Sequence, residues 1–411
     1  VYAVNMRERQ QPMKASEWCL FISLYTTQSL GIGFLVVALV AILRSKGGSF
    51  EMLSMVYALG LVWPFKFLWA SWVDRISFGR LGHYRAWLIF MQTGMILVFA
   101  SLMLFDVLKD FWWVYGLCSL LALFSATQDI AVDATACRRL SWQDRGIGNG
   151  IQISGGLLGD LLGAGVVLVA YSWIGWHSCL IILMMITSIS LIQLMFYTES
   201  GGDIKHETGW VVLRQIKRLW KSPGGKYWLS ILMVYPIGSS LAYSLITPML
   251  VDQGWTLEKI GWSVNVAGSA LGVLSALLAG WLIKKVTRRK ALVFAALFQL
   301  PGVIAIGFLV NGVSDSVSVT IAVGVYFICY NPAATVLATF MMDRVAQESG
   351  SPGSEYTMQY SINLFFSMGV ISVGTAFVGM IGYVGVLYLA LAMTVLAILL
   401  VLPYKLVDAP E

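Results

Sequence analysis

The sequence predicts an all-α membrane protein: twelve transmembrane helices in two six-helix pseudo-repeats, with both termini cytoplasmic. Three observations lead there. Of the 411 residues, 58% are apolar and 12% are charged, against roughly 45–50% and 25% in a soluble domain. The apolar residues come in runs such as Leu88–Phe105 and Val386–Leu402, long enough for a hydrocarbon layer that takes about 20 helical residues to cross. The basic residues gather in alternate connections between the runs. Strands are excluded, because a lipid-exposed sheet must close into a barrel and would show shorter, alternating segments.

In chain order the runs place spans at 16–42, 51–73, 86–105, 112–134, 146–170, 177–197, 227–251, 260–283, 291–310, 318–342, 356–380 and 383–403. With the N-terminus inside, 22 Lys and Arg fall on the cytoplasmic side and 4 (Arg44, Lys46, Lys109, Lys259) on the other, while Lys66 lies within a span. That excess orients the chain. It also accounts for the net charge of +6 as a topology signal, so no nucleic-acid partner is expected. The organisation that follows is a six-helix half over 1–197, a cytoplasmic linker over 198–226 and a second six-helix half over 227–411.

Within the linker, Trp210, Leu213, Ile216 and Trp220 recur at helical spacing, with Arg214, Lys217, Arg218 and Lys221 between them. This reads as an amphipathic helix on the anionic inner leaflet. The following Gly224-Gly225-Lys226 is no phosphate loop, since Tyr227 stands where Ser or Thr is required. The start of the chain is polar and basic (Arg7, Arg9, Lys14), so the first span, rather than a cleaved leader, is expected to direct insertion. Cys19, Cys118, Cys137, Cys179 and Cys329 lie in or beside apolar runs. They have neither disulfide nor metal spacing and read as small buried hydrophobes.

The halves echo each other. A basic turn, Trp72–Arg80 with Arg85, follows the second span, and Gly280–Lys290 follows the eighth. Such parallel repeats relate about an axis normal to the membrane. The turn at Asp74, Arg75, Arg80 and Arg85 resembles the loop motif of the major facilitator superfamily, although the usual preceding Gly is absent. That resemblance implies a gate of charge-assisted bonds, with Asp74 and Arg85 as the latch and Arg75 beside them. Ser125–Asp133, Gly148-Asn-Gly-Ile-Gln152 and Phe65–Trp69 are similar to segments of AmpG-type muropeptide permeases, acetyl-CoA transporters and RhtX/FptX-type siderophore permeases, and the second is closest to the siderophore group. The likeness covers mainly the first half. Where those relatives carry an aromatic and a basic residue after Ser154-Gly155, this chain has Gly156–Asp160.

Charged groups inside a bilayer cost roughly 2.5–3.5 kcal/mol or more each and mark candidate functional sites. Here they are Lys66, Asp129, Asp133 and Asp160. Lys66 and Asp129 lie at matching depth, about 12–14 Å from the cytoplasmic ends of their spans. Asp129 and Asp133 share a helix face. Two readings stay open: an ion pair from Lys66 to either acid that only fixes packing, or a proton or substrate site tuned by that pair. Two acids and one base leave surplus negative charge, which favours a carboxyl able to take up a proton. Asp160 lies roughly 22 Å up its span, among glycines that allow close helix approach. It is read as a coupling group or a packing hydrogen bond. Tyr25, Gln28, Gln128, Gln152, Tyr243, Tyr330, Asn331, Gln359 and Asn363 are candidate substrate contacts.

The resemblance implies a monomeric permease of the bacterial inner membrane. It would import a small organic solute by proton-coupled alternating access, the leading candidate being a ferric siderophore such as a pyochelin-type chelate. Protons and membrane lipid are the other partners, and no cofactor is expected, iron entering only inside a chelated substrate. Muropeptide or acyl-CoA is the alternative cargo. A membrane-embedded enzyme is the different-class alternative; His83, His177 and His206 lack ligand or triad spacing for it.

Overall fold

The computed structural model describes residues 13–78, 81–199, 211–222, 224–345 and 351–404. These residues form α1 (Ala15–Ser45), the bent pair Glu51–Phe65 and Phe67–Arg75 that makes up α2, α3 (His83–Leu102), α4 (Phe111–Arg139), α5 (Arg145–Tyr171) and α6 (Trp173–Phe196). A linker helix follows (Val211–Lys221). Then come α7 (Gly225–Asp252), α8 (Glu258–Lys285), α9 (Arg288–Val310) and α10 (Ser316–Arg344). The last run, Pro352–Val401, turns at Gly382, and its two parts are α11 (352–381) and α12 (383–401). By length and composition ten helices can cross a membrane, eleven with α2 as one span. The turn at Gly382 is consistent with a twelfth crossing.

The turns carry a repeat that the basic loops only hinted at. Gly175, between α5 and α6, has φ 71° and ψ −175°. Gly382, between α11 and α12, has φ 71° and ψ 172°. Gly47 and Gly254, in the turns after α1 and α7, also have positive φ. Both pairs are separated by the same distance in sequence. Only glycine adopts such angles without strain, so the chain reverses at equivalent points of its first and last six helices.

Three apolar clusters show how the helices pack. One, around Phe34, Phe99 and Leu121, draws its buried residues from α1 to α6. Another, around Ile246, Val303 and Tyr326, draws them from α7 to α12 and the α7–α8 turn. The third contains Leu20, Ile130, Trp228, Phe340 and Tyr404 and is shared by both sets. The shared cluster lies at the end that carries Glu17, Arg139, Asp144, Lys284 and Arg344, here called the basic end. Met13 and Tyr404, the first and last described residues, both pack into it. The bundle is therefore joined at the basic end and divided into two cores at the far end.

The linker helix forms as expected, but it faces the protein. Gln215 is buried, and Leu219 packs on the shared cluster. The helix touches the basic ends of α2, α7 and α11. Trp220 stays half exposed, and Trp210 lies outside the described residues.

Candidate functional site

α2 is not the straight helix its apolar run suggests. Pro64 has no N–H to give the preceding turn, a 3-10 turn spans Leu59–Leu61, and the helix bends by 55° at Lys66. The bend delivers Lys66 into the bundle, where it is fully buried and ion-paired with Asp129 of α4. The pairing expected from equal depth is present. Lys66 Nζ also lies 4.9 Å from the ring centroid of Tyr360 on α11, so a residue of the last six helices completes its surroundings.

Asp133, one turn further along α4, is also fully buried. Its Oδ1 accepts hydrogen bonds from Tyr25 Oη at 3.1 Å and Gln152 Nε2 at 2.8 Å. Its Oδ2 is buried with no hydrogen-bond partner. Gln152 Oε1 in turn accepts from Tyr356 Oη at 2.8 Å, and the same hydroxyl lies 3.2 Å from Asn149 Oδ1. The path from Asp133 through Gln152 to Tyr356 thus links the α4 acid to α11. Sequence reading missed Tyr356 and Tyr360. Their spacing of four, which puts both rings on one face of α11, was the available signal.

Asp160 does not join this group. It is exposed, yet protein surrounds it. A Cβ on Gly33 of α1 would come within 2.9 Å of its Cα, and its carboxylate is near enough to Tyr243 of α7 and Tyr360 of α11 to interact electrostatically. Its exposure therefore opens into the space between the first and last six helices. Tyr243, 40% exposed, and the half-buried Tyr330 line that space. Tyr330 stacks on Tyr326 with centroids 5.8 Å apart.

The other candidates divide. Tyr25 and Gln152 belong to the Asp133 set. Gln28 is buried, with Oε1 unpartnered. Gln128 donates to Leu24 O and Thr27 Oγ1 inside the first six helices. Asn331 donates to Phe327 O of its own helix. Gln359 accepts from Trp228, and Asn363 donates to Leu232 O. These four serve packing in this structure.

At the basic end the latch differs from the expected one. Asp74 does not pair with Arg85. It accepts from Tyr84 Oη at 2.7 Å and from the backbone N–H groups of Gly353 and Ser354 at 3.2 and 2.7 Å. Its partner is the first turn of α11, where unsatisfied N–H groups and the helix dipole favour an anion. Arg85 instead donates to the carbonyls of Leu194 and Met195 at the end of α6, and Arg80 lies outside the described residues. No polar partner is seen for Arg75 among the described residues. Further bonds cross the same end. Arg145 and Arg288 share Asp343 at 3.1 and 2.9 Å. Lys284 pairs with Asp144 at 2.7 Å. Burial pushes the Asp144 carboxyl up, but the hydrogen bonds from Lys284 and Ser141 outweigh it and hold the group below its ordinary value. The hydrogen bonds and ion pairs between the two sets of helices cluster in this part of the bundle.

A multi-pass helical bundle, sealed at one end around buried, mutually paired charges and divided at the other, defines a membrane transporter rather than an enzyme. The chain belongs to the Major Facilitator Superfamily, whose profile matches residues 18–368. It is 27% identical over 268 residues to an uncharacterized protein of Haemophilus influenzae, covering 63% of this chain and 62% of that one. It is 25% identical over 279 residues to the anhydromuropeptide permease of Escherichia coli, covering 66% and 55%. It thus spans under two thirds of the length of either relative. The human organic anion transporter MFSD10 shares the fold with a TM-score of 0.73 at 11% identity, over 95% of this chain and 100% of that one.

Proposed function

We propose that this protein is a proton-coupled importer of a small organic solute in a bacterial inner membrane, with the basic end in the cytoplasm. On this reading the ties across the basic end close the cytoplasmic side. The observation that carries the reading is the continuity from Lys66, Asp129 and Asp133 through Gln152 to Tyr356. Titratable groups are wired to a contact that closes the basic end. Asp133 Oδ2, buried and unpartnered, is the atom that receives the proton. Protonation removes the negative charge that holds Gln152 Nε2 and so weakens the Gln152–Tyr356 bond between the halves. Lys66–Asp129 keeps the surrounding charge balanced, and the solute sits above, beside Tyr243, Tyr330 and Asp160.

An anhydromuropeptide is the cargo that the named relative supports. A ferric siderophore is the second reading, supported by the Gly148–Gln152 segment and by the aromatic lining. Proteoliposomes with an imposed pH gradient decide the matter. Labelled anhydromuropeptide and a panel of radio-iron siderophores are offered in parallel, with accumulation and internal acidification recorded. The expected result is gradient-driven accumulation of one class, lost in Asp133→Asn while thermal unfolding stays normal. Accumulation of one class that ignores the pH gradient, or that persists in Asp133→Asn, removes the proton-coupling assignment.

A further inference from the structure

Asp160 is the one membrane-embedded acid that the buried network leaves over. Asp129 is neutralised by Lys66. Asp133 receives two hydrogen bonds. No hydrogen bond or opposite charge reaches the Asp160 carboxylate among the described residues. It is nevertheless exposed, at a depth where only protein and the space between the halves surround it.

Its setting is built rather than incidental. α5 changes its winding at this point, and Leu161–Val166 is π-helical, a feature that concentrates at functional sites. Behind Asp160, Gly33 brings α1 into backbone contact and leaves no room for a side chain. Tyr243 and Tyr360 lie within electrostatic reach of it. Tyr243 is held by ring contacts to Tyr326 and Phe327, with centroids 6.2 and 6.5 Å away. Tyr360 stacks on Tyr356 at 6.2 Å. Lys66, the one basic residue inside the spans, is committed to Asp129 and to the Tyr360 ring.

A carboxylate without donors, exposed between the halves with a tyrosine nearby, attracts a cation by charge, and an aromatic ring adds to that attraction through its quadrupole. It repels an anion. An inorganic cation would need several oxygen ligands, and among the described residues no three His, Cys, Asp or Glu side chains gather to supply them. We propose that Asp160, with Tyr243 beside it, is the docking point for a protonated organic amine carried by the transported solute. This rests on the transporter reading above and names the group on the cargo that the cavity recognises.

The test uses purified full-length protein in detergent and three probes of similar shape: phenethylammonium, phenethyl alcohol and 3-phenylpropionate. Binding is read by tryptophan fluorescence. The ammonium is expected to bind at least tenfold more tightly than the other two. Asp160→Asn should lose that preference, Asp160→Glu should keep it, and Tyr243→Leu should weaken it several-fold while Tyr243→Phe does not. Equal binding of the neutral probe, or an unchanged preference in Asp160→Asn, overturns the proposal. If Asp160→Asn fails to fold, the charge series on the unaltered protein and the Tyr243 pair still decide. Transport is scored separately. A solute taken up equally well before and after acetylation of its amine overturns the docking point and leaves the transporter reading standing. Selective ammonium binding without uptake of any solute has the opposite meaning.

Discussion

Lys66 and Asp129 stabilise each other only as a pair. Either one alone is a charge buried in a medium that cannot solvate it. Removing one partner of such a pair costs about 3–5 kcal/mol, whereas replacing both with apolar groups is often neutral. Lys66→Met should therefore lower the unfolding temperature sharply, and the double change with Asp129→Leu should restore most of it. A single mutant as stable as the parent would mean that the two groups do not depend on each other. At Asp133 the asymmetry is between two oxygens of one carboxylate. Oδ1 is saturated by Tyr25 and Gln152, and Oδ2 has nothing. A neutral amide fills the same volume but cannot exchange a proton, so the test of coupling there measures chemistry rather than packing.

Among the elements, α5 packs closely on the backbone of α1. A Cβ at Gly159 would meet Thr26 O at 2.3 Å, and one at Gly163 would meet Leu30 O at 2.2 Å. In a membrane, where helices gain little by leaving lipid, such backbone approach is a main source of association. Gly159→Ala should cost about 1–3 kcal/mol, as overpacking does. Gly165→Ala, which would meet only Leu161 of its own helix at 3.3 Å, should be near neutral in the same thermal unfolding assay. The glycines of this span were legible in the sequence as a close-packing signal, as were the spans themselves and the match in depth between Lys66 and Asp129. These follow from local periodicity and from the rise of a helix. The bend at Lys66 was half legible, through Pro64. The partner of Asp74 was not. Gly353 and Ser354 lie on the far side of the sequence, and they bind through backbone N–H groups that any residue but proline could offer. Arg85, basic and nearby in sequence, was the pattern-based choice, and the α6 carbonyls claim it. Of the tyrosines near Asp160, Tyr243 was legible as a candidate and Tyr360 was not, because nothing in the sequence says which faces of α7 and α11 meet α5.

For the whole molecule, the sealed end is held by bonds of different pH sensitivity. The Asp144 carboxyl is lower in the folded protein than in the unfolded chain, so its tie to Lys284 stabilises fully above the ordinary carboxylate value of about 4. That contribution is lost only as the pH falls through the still lower folded value. The Asp144→Asn variant should accordingly lose stability relative to the parent at pH 7, with the gap closing below pH about 4. Asp74 is tested by access. In a Cys19→Ser background, Asp74→Ala should raise the rate at which a maleimide labels Cys137 by several-fold, because α11 loses the anion at its first turn. An unchanged rate would place the seal in the remaining ties, Arg145 and Arg288 to Asp343, Lys284 to Asp144 and Gln152 to Tyr356.

The two sets of helices match in their reversals but not in their charges. Lys66, Asp129, Asp133 and Asp160 all lie on α2, α4 and α5, and α7 to α12 hold no Asp, Glu, Lys or Arg away from their ends. The electrical work of the cycle therefore falls on one half. A unit charge crossing 100 mV changes energy by roughly 2.3 kcal/mol, and a rocking half carries its surplus carboxylates through a fraction of that drop. When empty and anionic, this half is driven toward the outer face by a potential that is negative inside. A potassium diffusion potential of that sign, imposed with valinomycin at equal pH on both sides, should speed net solute uptake, and the reversed potential should slow it.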